Sequence, residues 1–397
     1  MRIPAALATS FLALAACTGG GGDAVEAANS NAAAPGTPQA AGRAFDTQVL
    51  GTFDEPWAMA FLPGSNRALI TERSGRLLLW SREGDASAAI PIRGVPEVDH
   101  GGQGGLGDVI AHPDYARNGF IYLSWVEAGP NDTRGAVVGR ARLLAMSAAM
   151  PGAPVGYQLD GLQVIWRQSP KTTGRGHFGH RLAIRDGHLF ITNGDRQKFD
   201  PAQDPAQHLG KVVRLRDDGT TPPDNPWASR GGVTAQLWTT GHRNPLGLAF
   251  DSAGRLWSHE MGPQGGDEFN LIERGANYGY PIVSNGSHYD GRDIPDHPTR
   301  PEFRAPVITW NGVSPAGLMI YSGRLFRNWR GNAFLGALSG EALLRVELSG
   351  TTAREVQRWP MAARIREVEE GADGAIYVLE DERNGSGGRL LRLTPAR

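Results

Sequence analysis

Six short polar clusters hold most of the residues able to do chemistry. They are HGGQGGLG (100–107), GRGHFGHRLAI (174–184), NGD (193–195), GHRNPLGLAF (241–250), HEMGPQGGDEFNLI (259–272) and ARIREVEEGADG (363–374). Each sets charged or hydrogen-bonding groups against Gly or Pro at the edge of an apolar run. His177 and Asp195 bracket one hairpin, so both can reach the same end of it. A histidine beside a carboxylate is suited to general-base work, with the carboxylate as orienter. His180 is an equal candidate by composition, and a loop histidine that is merely exposed is the plainer reading of either. Arg243-Asn244 offers a guanidinium fork for a carboxylate, or a brace for loop carbonyls. Arg364 and Arg366 alternate along a strand and so face one side, which suits a di- or tri-anion or a solvated face. Gly262 and Pro263 supply carbonyls, Glu268 a carboxylate, and Tyr278 a further carbonyl, all oxygen ligands of the kind calcium takes. An acidic turn without an ion is the alternative. Trp310 and Tyr289 are aromatics in polar loops, fit to stack on a flat ligand or a sugar, or simply to pack.

Several familiar patterns are excluded. Residues 102–107 match G-x-G-x-x-G, but Pro113 follows six residues later and the polar GVPEVDHG precedes, so the strand and long helix that motif needs are missing. There is no Walker A sequence, no second His four residues after His259, and no G-x-S-x-G elbow.

The elements that must position these groups recur along the chain. A short apolar strand, a Gly-containing turn and a second strand ending in an acid or Trp appear at 57–73, 105–125, 181–195 and 247–260. Weaker copies stand at 317–338 and 365–381. Such units read as antiparallel hairpins that cannot bury both faces alone and must stack. Six of them imply an all-β, six-bladed β-propeller, with a β-sandwich pair as the competing architecture. Composition agrees: 54 Gly and 27 Pro in 397 residues leave little room for long helices. Segments such as QHLG (207–210) read as loop turns. A formal net charge of -1 gives no bulk pull toward nucleic acid.

The first residues read differently. Met1-Arg2, a mostly apolar run to residue 16 and then Cys17 form a signal peptide (1–16) whose end resembles a bacterial lipobox. Cys17, the sole cysteine, becomes the lipidation site, and 17–43 a Gly/Ala-rich tether to a domain at 44–397. The expectation is a periplasmic protein held to a bacterial membrane, the outer one, only through its lipid. A cysteine-free domain suits that oxidising compartment.

The clusters together resemble the soluble quinoprotein glucose/aldose sugar dehydrogenases, which use pyrroloquinoline quinone. The likeness is carried by EPWAMAFLP, GQGGLGDVIAHPDY, HFGHRLAI with NGD, GHRNPLGLAFD, GPQGGDEFNLI with GANYGYP, and RIREV with DGAIYVL, from about Pro56 to the C-terminus. It implies a six-bladed propeller, His177 as base and Asp195 as its orienter, with no such role for His180. It implies quinone contacts from Gln103, Arg243, Asn244, Tyr289, Ala337, Leu338, Ser339, Arg364 and Arg366. Calcium ligands would be Gly262, Pro263, Glu268 and Tyr278. One departure stands out: relatives often have a Lys where this chain has Ser339, which removes a cation from a tricarboxylate site. The function implied is oxidation of an aldose at its anomeric carbon to the lactone, with electrons leaving to a periplasmic acceptor such as a cytochrome. A calcium-dependent lactone hydrolase would need no quinone, and a non-catalytic binding propeller would need none of His177, Asp195 and Gln103 together.

Overall fold

Strand-forming runs alternate with Gly and Asp turns throughout, and the chain is β-strand in almost all its regular structure. The computed structural model describes residues 44–83, 89–146, 155–383 and 387–396. The expected signal peptide, Cys17 and tether lie outside these residues.

The first strand is β1 (Phe45–Thr52). Five four-stranded antiparallel meanders follow. They are β2–β5 (Pro56–Phe61, Arg67–Glu72, Arg76–Ser81, Ile90–Arg93) and β6–β9 (Leu106–Ala111, Phe120–Ala128, Arg134–Ala145, Tyr157–Arg167). Next come β10–β13 (Gly179–Arg185, His188–Asn193, Lys211–Arg216, Leu237–Thr240) and β14–β17 (Pro245–Phe250, Leu256–Glu260, Asp267–Ile272, Ile308–Trp310). The fifth is β18–β21 (Pro315–Ile320, Ala333–Ala337, Ala342–Ser349, Thr352–Pro360). Finally β22–β24 (Ile365–Glu370, Ile376–Glu380, Arg389–Pro395) take β1 as their fourth strand, in the order β1-β24-β23-β22. The six sequence repeats are the first two strands of these six units. A short parallel pairing of β5 with β9 joins the first two meanders into an eight-stranded sheet. The described helices are single turns, such as Tyr115–Asn118 and Asp200–Ala202.

Six apolar clusters lie between consecutive meanders, and the sixth returns from the last to the first. Leu79 packs with Val137, and Tyr122 with Leu189. Phe190 packs with Leu256, and Phe269 with Leu335. Phe334 packs with Val378, and Tyr377 with Trp80. Each meander thus buries both faces against neighbours, which is the stacking a lone hairpin cannot supply. All six first strands carry a register shift near their start: Pro56/Ala58, Leu106/Val109, Gly179/Leu182, Pro245/Gly247, Ala316/Leu318 and Ile365/Glu367. A bulge re-aims side chains and ends regular pairing, so the segments entering these strands are free to carry function.

Charges from three meanders meet beneath that level. The Arg181 guanidinium bonds Glu367 and Asp108 and lies 4.0 Å from the Trp57 ring centroid. Burial pushes the Glu367 carboxyl up to about 7 despite Arg181. The triad ties β6, β10 and β22 together where no backbone ladder connects them.

Candidate active site

Antiparallel pairing puts the start of each first strand and the end of each second strand at one end of its meander. Every cluster singled out in the sequence falls at these positions. His177 enters β10 and Asp195 leaves β11. Gln103 precedes β6, Arg243 and Asn244 precede β14, Gly262 and Pro263 follow β15, Ser339 follows β19, and Arg364 precedes β22.

His177 Nδ1 donates to Asp195 Oδ1 at 2.7 Å, and both side chains are buried. The pairing depends on close backbone approach: a Cβ on Gly194 would sit 2.1 Å from the His177 carbonyl oxygen. Asp195 also accepts the N–H groups of Gln197 (3.0 Å) and Phe199 (3.2 Å). Burial alone would raise its carboxyl. The His177 ring, Arg243 and the Gln197 N–H outweigh that and hold it below the usual carboxylate range. For His177, burial and then Arg243 hold the imidazole below its ordinary value against the opposite pull of Asp195. The resting pair is therefore a neutral imidazole, with Nδ1–H fixed on an ionised carboxylate and Nε2 left as the basic atom.

His180 is placed quite differently. It stacks on Trp57 (5.0 Å, 10°), shares a 2.7 Å hydrogen bond with Ser124 Oγ, and burial drives its pKa to about 3. It is a packing histidine in the core.

Arg243 is buried, donating to the Met261 carbonyl (3.0 Å) and the Tyr289 hydroxyl (3.1 Å), while its Nε has no partner. It forms no ion pair with any described carboxylate. Asn244 Oδ1 is likewise buried and unpartnered. Gln103 Oε1 accepts the His177 N–H at 2.7 Å, which leaves its amide nitrogen for a ligand. Tyr289 is 68% exposed. Arg364 and Arg366, expected as two cations facing one side for a di- or tri-anion or as a solvated face, are buried and both meet Asp381, which lies 3.5 Å from Arg364 and is bonded by Arg366. Ala337 and Leu338 are buried, and the exposed Ser339 hydroxyl bonds Ser314.

Trp310 requires a correction. Its side chain is buried in the cluster with Trp257 and Val313, 6.1 Å from the Phe269 ring, because β17 closes its meander against the next one. It does not offer a face to a sugar.

Two oxygen-rich places could hold a cation. The Gly262 and Pro263 carbonyls accept no hydrogen bond from the described residues. Glu268 faces Glu260 across β15–β16, and Asn270 Nδ2 bridges them at 3.0 and 3.2 Å with its Oδ1 buried and unpartnered. Burial, then the Glu260 charge, raise the Glu268 carboxyl well above its usual range. A divalent cation would relieve that strain. The Tyr278 carbonyl accepts His297 Nε2 at 3.1 Å. Among the described residues no three His, Cys, Asp or Glu side chains form a metal-ligating group, so any cation here relies on carbonyl or amide oxygens.

Sequence reasoning missed Arg196, which donates to the carbonyls of Gly176 (2.8 Å), Arg134 (2.9 Å) and Gly174 and lies 3.7 Å over Phe178. It braces the His177 loop from below. Arg73 and Arg383 converge on the Gly102 carbonyl beside Gln103 in the same way.

The family model for glucose/sorbosone dehydrogenase matches residues 53–392. Aldose sugar dehydrogenase YliI of Escherichia coli (strain K12) is 38% identical over 352 residues, covering 86% of this chain and 90% of that protein. The crystal structure of the soluble aldose sugar dehydrogenase from Escherichia coli in its apo-form superposes with a TM-score of 0.79 at 36% identity, over 89% of this chain and 100% of that one. The PQQ-bound form of the Streptomyces coelicolor aldose sugar dehydrogenase gives 0.70 at 26% identity, over 90% and 99%.

Proposed function

The chain belongs to the glucose/sorbosone dehydrogenase family of oxidoreductases, and on that premise we propose that it oxidises aldoses at the anomeric carbon to lactones, using pyrroloquinoline quinone and calcium. The observation that carries this reading is Arg243, a buried guanidinium without a carboxylate partner, next to a neutral histidine on an ionised aspartate. Asp195 and the Tyr280 and Tyr289 hydroxyls favour the Arg243 charge, yet no carboxylate is in direct contact with the guanidinium, which leaves that contact for an anion of a ligand. A quinone bearing three carboxylates supplies one, and the unpartnered Asn244 oxygen, the Gln103 amide and the Tyr289 hydroxyl fit its polar rim. Arg364 and Arg366, both meeting Asp381, add guanidinium groups near the same site.

When bound, the quinone supplies a two-electron acceptor for hydride. The protein does the rest. His177 Nε2 takes the anomeric hydroxyl proton as the sugar carbon loses hydride, so the C–O–H becomes C=O. Asp195 keeps the proton on Nδ1 and stabilises the imidazolium. Burial keeps the ring neutral beforehand, so the base is ready at neutral pH. Gln103 holds the His177 backbone in place. Carbonyls of Gly262, Pro263 and Tyr278, with Glu268, would hold calcium.

The six meanders are then the blades of a six-bladed propeller. This is supported by the closed cycle of six interfacial clusters and by first strands that touch in cyclic order. Lipidation at Cys17, a periplasmic location and a cytochrome-like electron acceptor belong to the same reading. No helix of the described residues is long and apolar enough to cross a membrane. The test is a panel of aldoses with an artificial electron acceptor, using purified protein with and without quinone and calcium. Turnover should require both. Full activity in EDTA without quinone would overturn the proposal.

A further inference from the structure

Guanidinium groups gather around Asp381, the residue that follows β23. Arg364 and Arg366, at the start of β22, both meet its carboxylate. Arg383, two residues further on, donates its backbone N–H to Asp381 Oδ1 at 3.0 Å. Its charge acts there too: Arg366, Arg364 and Arg383 outweigh burial and hold the Asp381 carboxyl below the usual range. Arg73, which follows β3, stands close by. Burial and then the Arg383 charge hold Arg73 down to about 10. Arg73 and Arg383 share the Gly102 carbonyl but differ in what else they do. Arg73 is buried and fully engaged, meeting Glu55 at 2.8 Å and donating to the Gly102 and Gly104 carbonyls. Arg383 is half-buried, and among the described residues its guanidinium donates only to Gly102 and meets no carboxylate. Gly102 precedes Gln103, whose side chain accepts the His177 N–H. The Arg383 guanidinium is therefore held at the site with Nε and Nη1 left for another acceptor.

We propose that Arg383 binds a carboxylate of the quinone, as a cation of the site in addition to Arg243, Arg364 and Arg366. This rests on the dehydrogenase reading. Chemistry decides the ligand class. Like charges this close repel one another, and a second carboxylate among them relieves the repulsion that Asp381 alone must balance. The planar donor fork of a guanidinium matches a carboxylate, whereas a neutral aldose offers it no charge to meet. Ser339, expected in the same site, brings a hydroxyl that is already bonded to Ser314 and carries no charge. The loop after β23 thus supplies a cation that the loop after β19 does not.

The test is a titration of the full-length, calcium-supplemented protein with pyrroloquinoline quinone, read as Kd by calorimetry and repeated at rising salt. Arg383→Gln removes the charge and keeps a donor for the Gly102 carbonyl, and Arg383→Lys keeps the charge. A charge-assisted contact at a half-buried position changes affinity by about five- to tenfold. Arg383→Gln should raise Kd by that factor at low salt, Arg383→Lys should stay near wild type, and the gap should narrow as salt screens the contact. An Arg383→Gln Kd equal to wild type overturns the proposal and leaves the dehydrogenase reading intact. Equal weakening by both variants also overturns it, because the residue then acts by holding the Gly102 turn. If wild type itself binds no quinone, the dehydrogenase reading fails and the role of Arg383 falls with it.

Discussion

Asp195→Asn tests the proposed division of labour, because the structure fixes what one changed atom must do. Asp195 Oδ1 accepts from His177 Nδ1 and Gln197, and Oδ2 accepts from Phe199. An amide has one acceptor and one donor for these three N–H groups. If its oxygen stays on His177, the amide NH2 faces the Phe199 N–H and leaves it unsatisfied, a loss of about 1–3 kcal/mol in stability. If it turns, the NH2 faces His177 Nδ1 and drives the ring proton to Nε2, so the base is lost. Either way the imidazolium formed in the reaction no longer rests on a charge. A hydrogen bond to a charged group is worth about 1.5–3 kcal/mol, or roughly 10- to 150-fold in rate at 1.36 kcal/mol per decade. His177→Ala should lose more, about 10²–10⁴. The assay is stopped-flow reduction of bound quinone by excess aldose, beside a quinone titration and a thermal melt. Expected is a slower reduction with quinone affinity near wild type. Reduction by Asp195→Asn at the wild-type rate, or a loss wholly explained by weaker quinone binding, would refute the reasoning.

In the pH profile, kcat/KM should be flat above 6.5 and fall below it, because burial depresses His177 and protonation removes the base. Asp195→Asn removes a group that raises the ring, so its acid limb should lie at lower pH than in wild type. His180, held near 3, refuses protons that the unfolded chain accepts below 6.5. Its contribution to stability is complete above 6.5 and is lost as pH falls toward 3. Chemical denaturation should show His180→Gln with a slope against pH smaller than wild type by about 1.4 kcal/mol per unit in that window, and equal slopes would contradict the buried neutral ring. Gly107→Ala would place a methyl carbon 1.8 Å from His180 Cε1 and should lower stability by about 3 kcal/mol or more, read from the denaturant midpoint and soluble yield. EDTA should lower the melting temperature of wild type. Glu268→Gln should melt alike with and without calcium, since the amide removes the carboxylate charge that would hold the ion.

The repeats were readable because each is a strand, a turn and a strand, with local signals spaced as strands require. The His177–Asp195 pair was readable for a related reason: both flank one hairpin, and antiparallel pairing returns the chain to the same end. His177 and His180 were inseparable by composition because the difference is three-dimensional, one ring meeting a carboxylate and the other meeting Trp57. Trp310 misled because a polar neighbourhood in sequence said nothing of the meander it closes. Arg196 gave no signal, since its acceptors are backbone carbonyls. The contacts of Arg181 with Asp108 and Glu367 join residues 73 and 186 positions apart, with no periodicity to betray them. Asp381, which meets both Arg364 and Arg366, was hidden in the same way.

The borrowed strand β1 also determines how the domain answers to mechanical load. Phe45 pairs with Pro395 and the register runs inward to Thr52 opposite Arg389, so the two ends of the domain meet at one rung. Tension applied between those ends opens the rungs one after another, as a zipper does, and little force suffices at any moment. Tension on residue 45 alone, directed along β1 away from Thr52 with the body held, loads every rung of the pair in shear together. The same hydrogen bonds are then weak in one direction and strong in the other. A leash leaving the domain at its first strand would meet the resistant direction when drawn along that strand.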